Sequence, residues 1–301
     1  MALTSAELTR RPTLASQVGA YVALTKPRII ELLLVTTLPT MIVARRGIPS
    51  LGLMVATLLG GTLAAGGANA INMFVDRDID KVMHRTRNRP LVTGAMAPRN
   101  ALIFAVCLEV LAFAELWAWV NPLSAVLAVS ATLFYVFVYT LWLKRRSTQN
   151  IVIGGAAGAV PVLVGWAAVT DHLAWSPVVL FAIIFLWTPP HFWALAFKYK
   201  EDYQAAQVPM LPAVATFART AREILIYSVL LVGVTLLLAP VASLGVIYVA
   251  SASLLGLVFV GLAARLRWRA TPKAAMQLFS YSITYLTLLF VLMAVDILTR
   301  H

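Results

Sequence analysis

Charge is scarce in this chain and cysteine nearly absent. Only 12% of its 301 residues are Asp, Glu, Lys or Arg, against 61% hydrophobic residues and a mean hydropathy of +0.86. No soluble core of this size could absorb so much apolar surface, which excludes a soluble domain and leaves a polytopic membrane protein. The single cysteine, Cys107, excludes a disulfide within the chain, and its place in an apolar helix predicts a small buried core residue. Residues 1–27 contain no apolar core before Lys26-Pro27, so no cleaved secretory signal is read there. Low-complexity tracts, linkers and soluble domains are also lacking. The formal net charge of +12 lies between apolar runs, which argues against a nucleic-acid partner.

What is present is a series of apolar runs of membrane-spanning length. Nine are read, near 29–44, 51–74, 101–119, 122–143, 151–170, 177–197, 223–240, 244–264 and 277–298. The expected fold is therefore all-α, with about nine transmembrane helices around a central cavity. Residues 1–24 form an N-terminal segment and 25–301 a single transmembrane domain. If the N-terminus is cytoplasmic, all of the 24 Lys and Arg except Arg45, Arg46 and Arg300 fall on the cytoplasmic side. Two long loops on that side, roughly 75–100 and 198–222, carry acids as well as bases, so the chemistry is expected there. An apolar helix running into a charged loop occurs at 51–100 and again at 177–222, which suggests two related halves.

The first of these loops opens with Asn69-Ala-Ile-Asn72-Met-Phe-Val-Asp76-Arg-Asp78-Ile-Asp80. On a helix Asn69, Asn72, Asp76 and Asp80 share an arc of about 80°, and Asp78 points away. Carboxylates one turn apart at the rim of a membrane helix are a natural oxygen ligand set for Mg²⁺. The basic run that follows, with Arg85, Arg87 and Arg89, suits an anion that the metal would bring in. Lys26 and Lys144 face the same side and could join the diphosphate-binding bases.

The second loop begins Trp187-Thr-Pro-Pro-His191-Phe-Trp193 and continues Lys198-Tyr-Lys-Glu-Asp202. Lys198 and Asp202, four residues apart, are expected to share a helix face. They read either as an ordinary interfacial pair or as the opposite wall of the metal site, with Asp202 a further ligand. Pro189-Pro190 should kink or break the span. His191 follows that kink and reads as a hydrogen-bonded core residue or as a haem contact. The paired glycines at 60–61, 66–67 and 154–155 predict close helix packing.

These motifs resemble those of the intramembrane UbiA-type prenyltransferases, whose Asn-x-x-x-Asp-x-x-x-Asp and Arg-Thr-x-x-Arg-Pro-Leu patterns are matched by Asn72, Asp76, Asp80 and residues 85–91. Thr25-Lys-Pro-Arg, the Trp187–Trp193 run and Val208-Pro-Met-Leu-Pro212 resemble the haem-farnesylating branch. That resemblance implies Mg²⁺ as cofactor, with farnesyl diphosphate and haem b (protohaem IX) as substrates. It implies catalytic roles for Asn72, Asp76, Asp80, Lys198 and Asp202, a bacterial inner membrane, and haem O for terminal oxidases. A haem A synthase or an oxidase assembly factor would then be a protein partner, and membrane lipid the solvent. Where quinone-type members carry two aspartates in the second motif, this chain has Lys198-Tyr-Lys-Glu-Asp202, which leaves the number of metal ions open. Three other readings remain: a branch with an aromatic acceptor, a non-catalytic haem chaperone, and a transporter with an acidic gate.

Overall fold

The computed structural model describes residues 13–300, without the side chains of residues 28–34. Of the bases assigned to the cytoplasmic side, Arg10, Arg11 and the side chain of Arg28 lie outside the described residues. Within them there are helices and no strand. α1 (Leu14–Thr25) and α2 (Pro27–Arg45) lead into α3 (Leu51–Val75), the short α4 (Arg77–Val82) and α5 (Pro90–Thr93), then α6 (Pro98–Trp119), α7 (Pro122–Leu133) and α8 (Asn150–Thr170). The second half runs through α9 (Trp175–Lys198), the short α10 (Lys200–Ala205) and α11 (Leu211–Val214), then α12 (Phe217–Val241), α13 (Val246–Arg269) and α14 (Pro272–Leu298). Among the described residues, eight helical stretches, beginning with α3, are long and apolar enough to cross a bilayer. With α2 they make nine long helices where nine apolar runs are read.

Local chemistry sets the boundaries. Ser50, Asn121, Thr216 and Thr271 cap α3, α7, α12 and α14 by accepting a backbone N–H with the side chain. Proline opens α2, α5, α6, α7 and α14, where its missing donor costs nothing. The long helices alternate in direction. One end gathers Lys26 and residues 76–97, 143–149 and 199–216. The other gathers 46–50, 120–121, 171–174, 242–245 and 299–300, tied by hydrogen bonds such as Arg46 to the Ala242 carbonyl (2.7 Å).

Lipid tails are as apolar as leucine, so packing rather than water exclusion holds such helices together. The largest cluster lies between α8, α9, α12, α13 and α14, where Leu180, Trp193, Leu231, Phe259, Tyr285 and Phe290 are buried. Leu102, Val110, Leu254 and Leu257 face outward. Cys107 corrects its expectation: it is exposed, on the α6 face that also presents Ile103, Val106 and Val110. Close approach at glycine is found where it matters. A Cβ on Gly67 would stand 2.6 Å from the Glu109 carboxylate, and one on Gly154 would overlap the Tyr139 ring.

One backbone expectation changes, and one irregularity comes without warning. Pro189 and Pro190 lie inside α9, and the helix is not broken there. α9 packs on α8, α12 and α14, and burial in protein lets a helix continue where two N–H donors are missing. The irregular backbone occurs instead after α7, which continues as a π-helix over Phe134–Trp142 and a 3₁₀ turn over Leu143–Arg145. There the Thr140 hydroxyl donates to the Tyr135 carbonyl five residues back (2.8 Å). π segments of this kind concentrate at functional sites.

Candidate active site

The acidic run sits at the end of α3. That helix stops at Val75, and Asp76 closes it with φ −84° and ψ 4° before α4 begins. The backbone barely deviates, because the Asp76 N–H still donates to the Asn72 carbonyl and the Asp80 N–H to the Asp76 carbonyl, both at 2.9 Å. The single expected helix is thus two, with its register kept. Asp76 is 0% and Asp80 2% exposed, and Asn69 and Asn72 are buried beside them. Asp78 points outward, as the helical angles require, and pairs with Arg145 at 2.7 Å through both oxygens.

Buried carboxylates need partners, and the partners come from other helices. The Lys144 ammonium binds Asp76 Oδ2, and the Asn72 amide donates to that same oxygen at 2.7 Å. Arg89 donates to Asp80 Oδ2 at 2.6 Å, and the Thr86 hydroxyl to the Asp80 carbonyl at 3.1 Å. Lys26, in a left-handed turn between α1 and α2, donates to Asn72 Oδ1 at 2.9 Å. Burial, and then repulsion from Arg89 and Lys144, pushes its amine down to about 7. The π segment adds Thr140, which accepts from the Asn72 amide at 3.3 Å. Tyr135 and Tyr139 on the same segment stack at 5.3 Å. A cleft of about 530 Å³ opens alongside, lined by Phe74, Val75, Arg77, Asp78, Leu141 and Arg145.

Asn72, Asp76, Asp80, Lys26, Arg89 and Lys144 are therefore brought together, and the other residues named from sequence are not. Arg85 reaches Tyr199 instead, its guanidinium 5.2 Å from the ring centre, and Arg87 is exposed. Lys198 is exposed, with its ammonium 5.6 Å from the Tyr199 ring centre. α9 ends at Lys198 and α10 begins at Lys200, so Lys198 and Asp202 do not share one helix, and no ion pair joins them among the described residues. Asp202 accepts the backbone N–H groups of His84 and Arg85, each at 3.0 Å. His191 is buried in the second half. Its Nδ1 meets the Ser282 hydroxyl at 2.7 Å, and its ring stacks on Trp187 and packs on Phe279.

No three Asp, Glu, His or Cys side chains among the described residues gather within reach of one metal ion. The oxygens of Asn72, Asp76 and Asp80 nevertheless fit a hard divalent cation. Asp76 Oδ1 is buried without a hydrogen bond, with an Arg145 nitrogen 3.7 Å away. Sequence reasoning overlooked Thr140, whose role depends on π geometry that no local pattern announces. It also overlooked Glu109 and Glu115 inside α6, although acids within an apolar run are a readable signal. Glu109 accepts from the Thr132 hydroxyl at 3.2 Å and lies against Gly67.

Comparison with known proteins agrees with this geometry. Residues 33–292 match the model of the UbiA prenyltransferase family. The chain is 53% identical over 287 residues to the protoheme IX farnesyltransferase of Renibacterium salmoninarum, covering 94% of this chain and 90% of that protein. It is 52% identical to the protoheme IX farnesyltransferase of Streptomyces avermitilis, covering 98% and 99%. Among solved structures, a digeranylgeranylglyceryl phosphate synthase superposes with a TM-score of 0.78 at 17% identity, covering 94% of this chain and 99% of that one. A UbiA homolog from Archaeoglobus fulgidus bound to GPP and Mg²⁺ gives 0.63 at 17% identity, covering 91% and 99%. The chain belongs to the UbiA prenyltransferase family, and within it to the protoheme IX farnesyltransferases.

Proposed function

We propose that this protein transfers the farnesyl group of farnesyl diphosphate to a vinyl group of haem b, with addition of water, giving haem O and diphosphate. The observation that carries the donor half of this reading is the polar cluster itself, and the acceptor rests on the protoheme IX farnesyltransferases to which the chain is 52–53% identical. Two buried carboxylates, Asp76 and Asp80, are each neutralised by a base from another element, Lys144 and Arg89. Such pairs are poised to exchange partners. Asn72, Asp76 and Asp80 would hold Mg²⁺, while Lys26, Lys144 and Arg89 would turn to phosphate oxygens, with Arg85 and Arg87 at the rim. Bound there, Mg²⁺ supplies charge neutralisation for the departing diphosphate.

The C1–O bond of the donor breaks with its electron pair leaving on diphosphate. The allylic cation is then attacked by the terminal carbon of the vinyl group, and the cation left on the inner vinyl carbon takes water and loses a proton. Tyr135 and Tyr139 offer π-faces close to Asp76 that suit the first cation. An apolar membrane interior keeps bulk water from capturing it early. The distribution of Lys and Arg supports a cytoplasmic N-terminus and a site on the cytoplasmic face, and the bacterial relatives point to an inner membrane.

The acceptor is tested by offering haem b and 4-hydroxybenzoate together with farnesyl diphosphate and Mg²⁺. Farnesylation of haem b alone is expected, and prenylation of 4-hydroxybenzoate in its place would assign the chain to another branch.

A further inference from the structure

The two halves of the chain repeat one pattern closely enough to compare positions. In the first, α3 ends at Val75, Asp76 closes it, a six-residue helix follows at Arg77–Val82, and a four-residue helix lies at Pro90–Thr93. In the second, α9 ends at Lys198, Tyr199 closes it, a six-residue helix follows at Lys200–Ala205, and a four-residue helix lies at Leu211–Val214. The closing residues have similar conformations, φ −84° and ψ 4° for Asp76 and φ −110° and ψ 23° for Tyr199. Counting from them, Tyr199 stands where Asp76 stands and Tyr203 where Asp80 stands. Asp202 stands where Ile79 stands, one residue out of the register of the buried carboxylates.

Its contacts match that displacement. Both carboxylate oxygens are engaged, one by the His84 N–H and the other by the Arg85 N–H, at 3.0 Å each. Around this double contact the Arg85 guanidinium lies over the Tyr199 ring, 5.2 Å from its centre. The segment so gripped is fixed again at its far end, through Thr86 and Arg89, to Asp80. One carboxylate of the second half thus holds the near end of a first-half loop whose far end meets Asp80.

We propose that Asp202 is a positioning residue and not a metal ligand: it clasps the backbone at His84 and Arg85, and so sets the arginine loop over the site, while tyrosines occupy the second half's counterparts of Asp76 and Asp80. The effect of the loop on farnesyl diphosphate rests on the proposed transfer from a prenyl diphosphate, and the clasp itself does not.

Amide hydrogen exchange, read at single-residue resolution on the full-length protein in lipid nanodiscs without substrate, tests the clasp directly. A charge-assisted hydrogen bond lost from an amide raises its exchange by at least about tenfold. In the wild type, the His84 and Arg85 amides should exchange at least about tenfold more slowly than Asn88. In Asp202→Asn, one of the two should lose that protection while α9 amides stay protected, which controls for folding. In turnover, the KM for farnesyl diphosphate should rise more than kcat falls, and half-saturation by Mg²⁺ should stay at its wild-type value. Unprotected His84 and Arg85 amides in the wild type would overturn the clasp without any variant. Unchanged exchange in Asp202→Asn would also overturn it. A shift of Mg²⁺ half-saturation as large as that in Asp76→Asn would make Asp202 a direct ligand. Inactivity toward haem b with the exchange pattern intact would overturn only the assigned reaction.

Discussion

Replacing Lys144 with methionine removes the cation from a carboxylate that has no access to solvent. Asp76 is 0% exposed and the Lys144 side chain 15%. Breaking a buried pair by deleting one partner costs about 3–5 kcal/mol, because the remaining charge is uncompensated. Two contacts soften that here: the Asn72 amide at 2.7 Å and the Arg145 guanidinium at 3.7 Å. The expected loss is therefore about 2–3 kcal/mol. Adding Asp76→Asn should recover most of it, since the orphaned charge disappears, and the cycle should give a coupling of about 2 kcal/mol. Equilibrium unfolding in mixed micelles, followed by tryptophan fluorescence for the wild type, both single variants and the double variant, measures it. If Lys144→Met is as stable as the wild type, or the two effects simply add, the pair is not what neutralises Asp76.

Other outcomes follow from individual contacts. Gly154→Val should push the Tyr139 ring from its seat and cost about 1–3 kcal/mol, read as a lowered unfolding temperature; an unchanged one would mean the π segment gives way freely. Thr140→Val removes the hydroxyl that accepts from Asn72 and should weaken Mg²⁺ half-saturation, with Thr140→Ser restoring it; equal behaviour of the two variants would remove Thr140 from the site. The hydrogen bond from Arg145 holds Asp78 at about 2, below its ordinary 3.8. Its contribution should be complete above about pH 4 and fade as pH falls toward 2, so the stability difference between wild type and Asp78→Asn should stay constant from pH 7 to 4. His191→Ala removes the Ser282 contact and the stacking on Trp187 and should lower the unfolding temperature; since a histidine held at Nδ1 keeps Nε2 for a ligand, a shifted band of bound haem in the variant would make it a haem contact, and an unchanged band a core residue.

The helical architecture was readable because nine runs of apolar residues carry it, and Asn121-Pro122 marked the one ambiguous boundary. The acid face at Asn72, Asp76 and Asp80 was readable because helical angles survive the change of helix at Asp76. Less visible was which bases would meet those acids. Arg85, Arg87 and Arg89 look alike in sequence, yet only Arg89 reaches an acid, since the loop turns between them. Pro189-Pro190 suggested a break that packing by neighbouring helices suppresses, and the real irregularity, Phe134–Trp142, has no proline or glycine to announce it. Lys198 and Asp202 suggested a helical pair because spacing alone cannot reveal that the helix ends between them.

The central claim is that the Asn72–Asp80 face carries farnesyl transfer to haem b. Mass spectrometry of haem after incubating the purified protein with haem b, farnesyl diphosphate and Mg²⁺ tests it most directly. The wild type should give haem heavier by a farnesyl group and a hydroxyl, and folded Asp76→Asn and Asp80→Asn should give none. Unmodified haem from the wild type, or wild-type yields from either variant, would contradict the account.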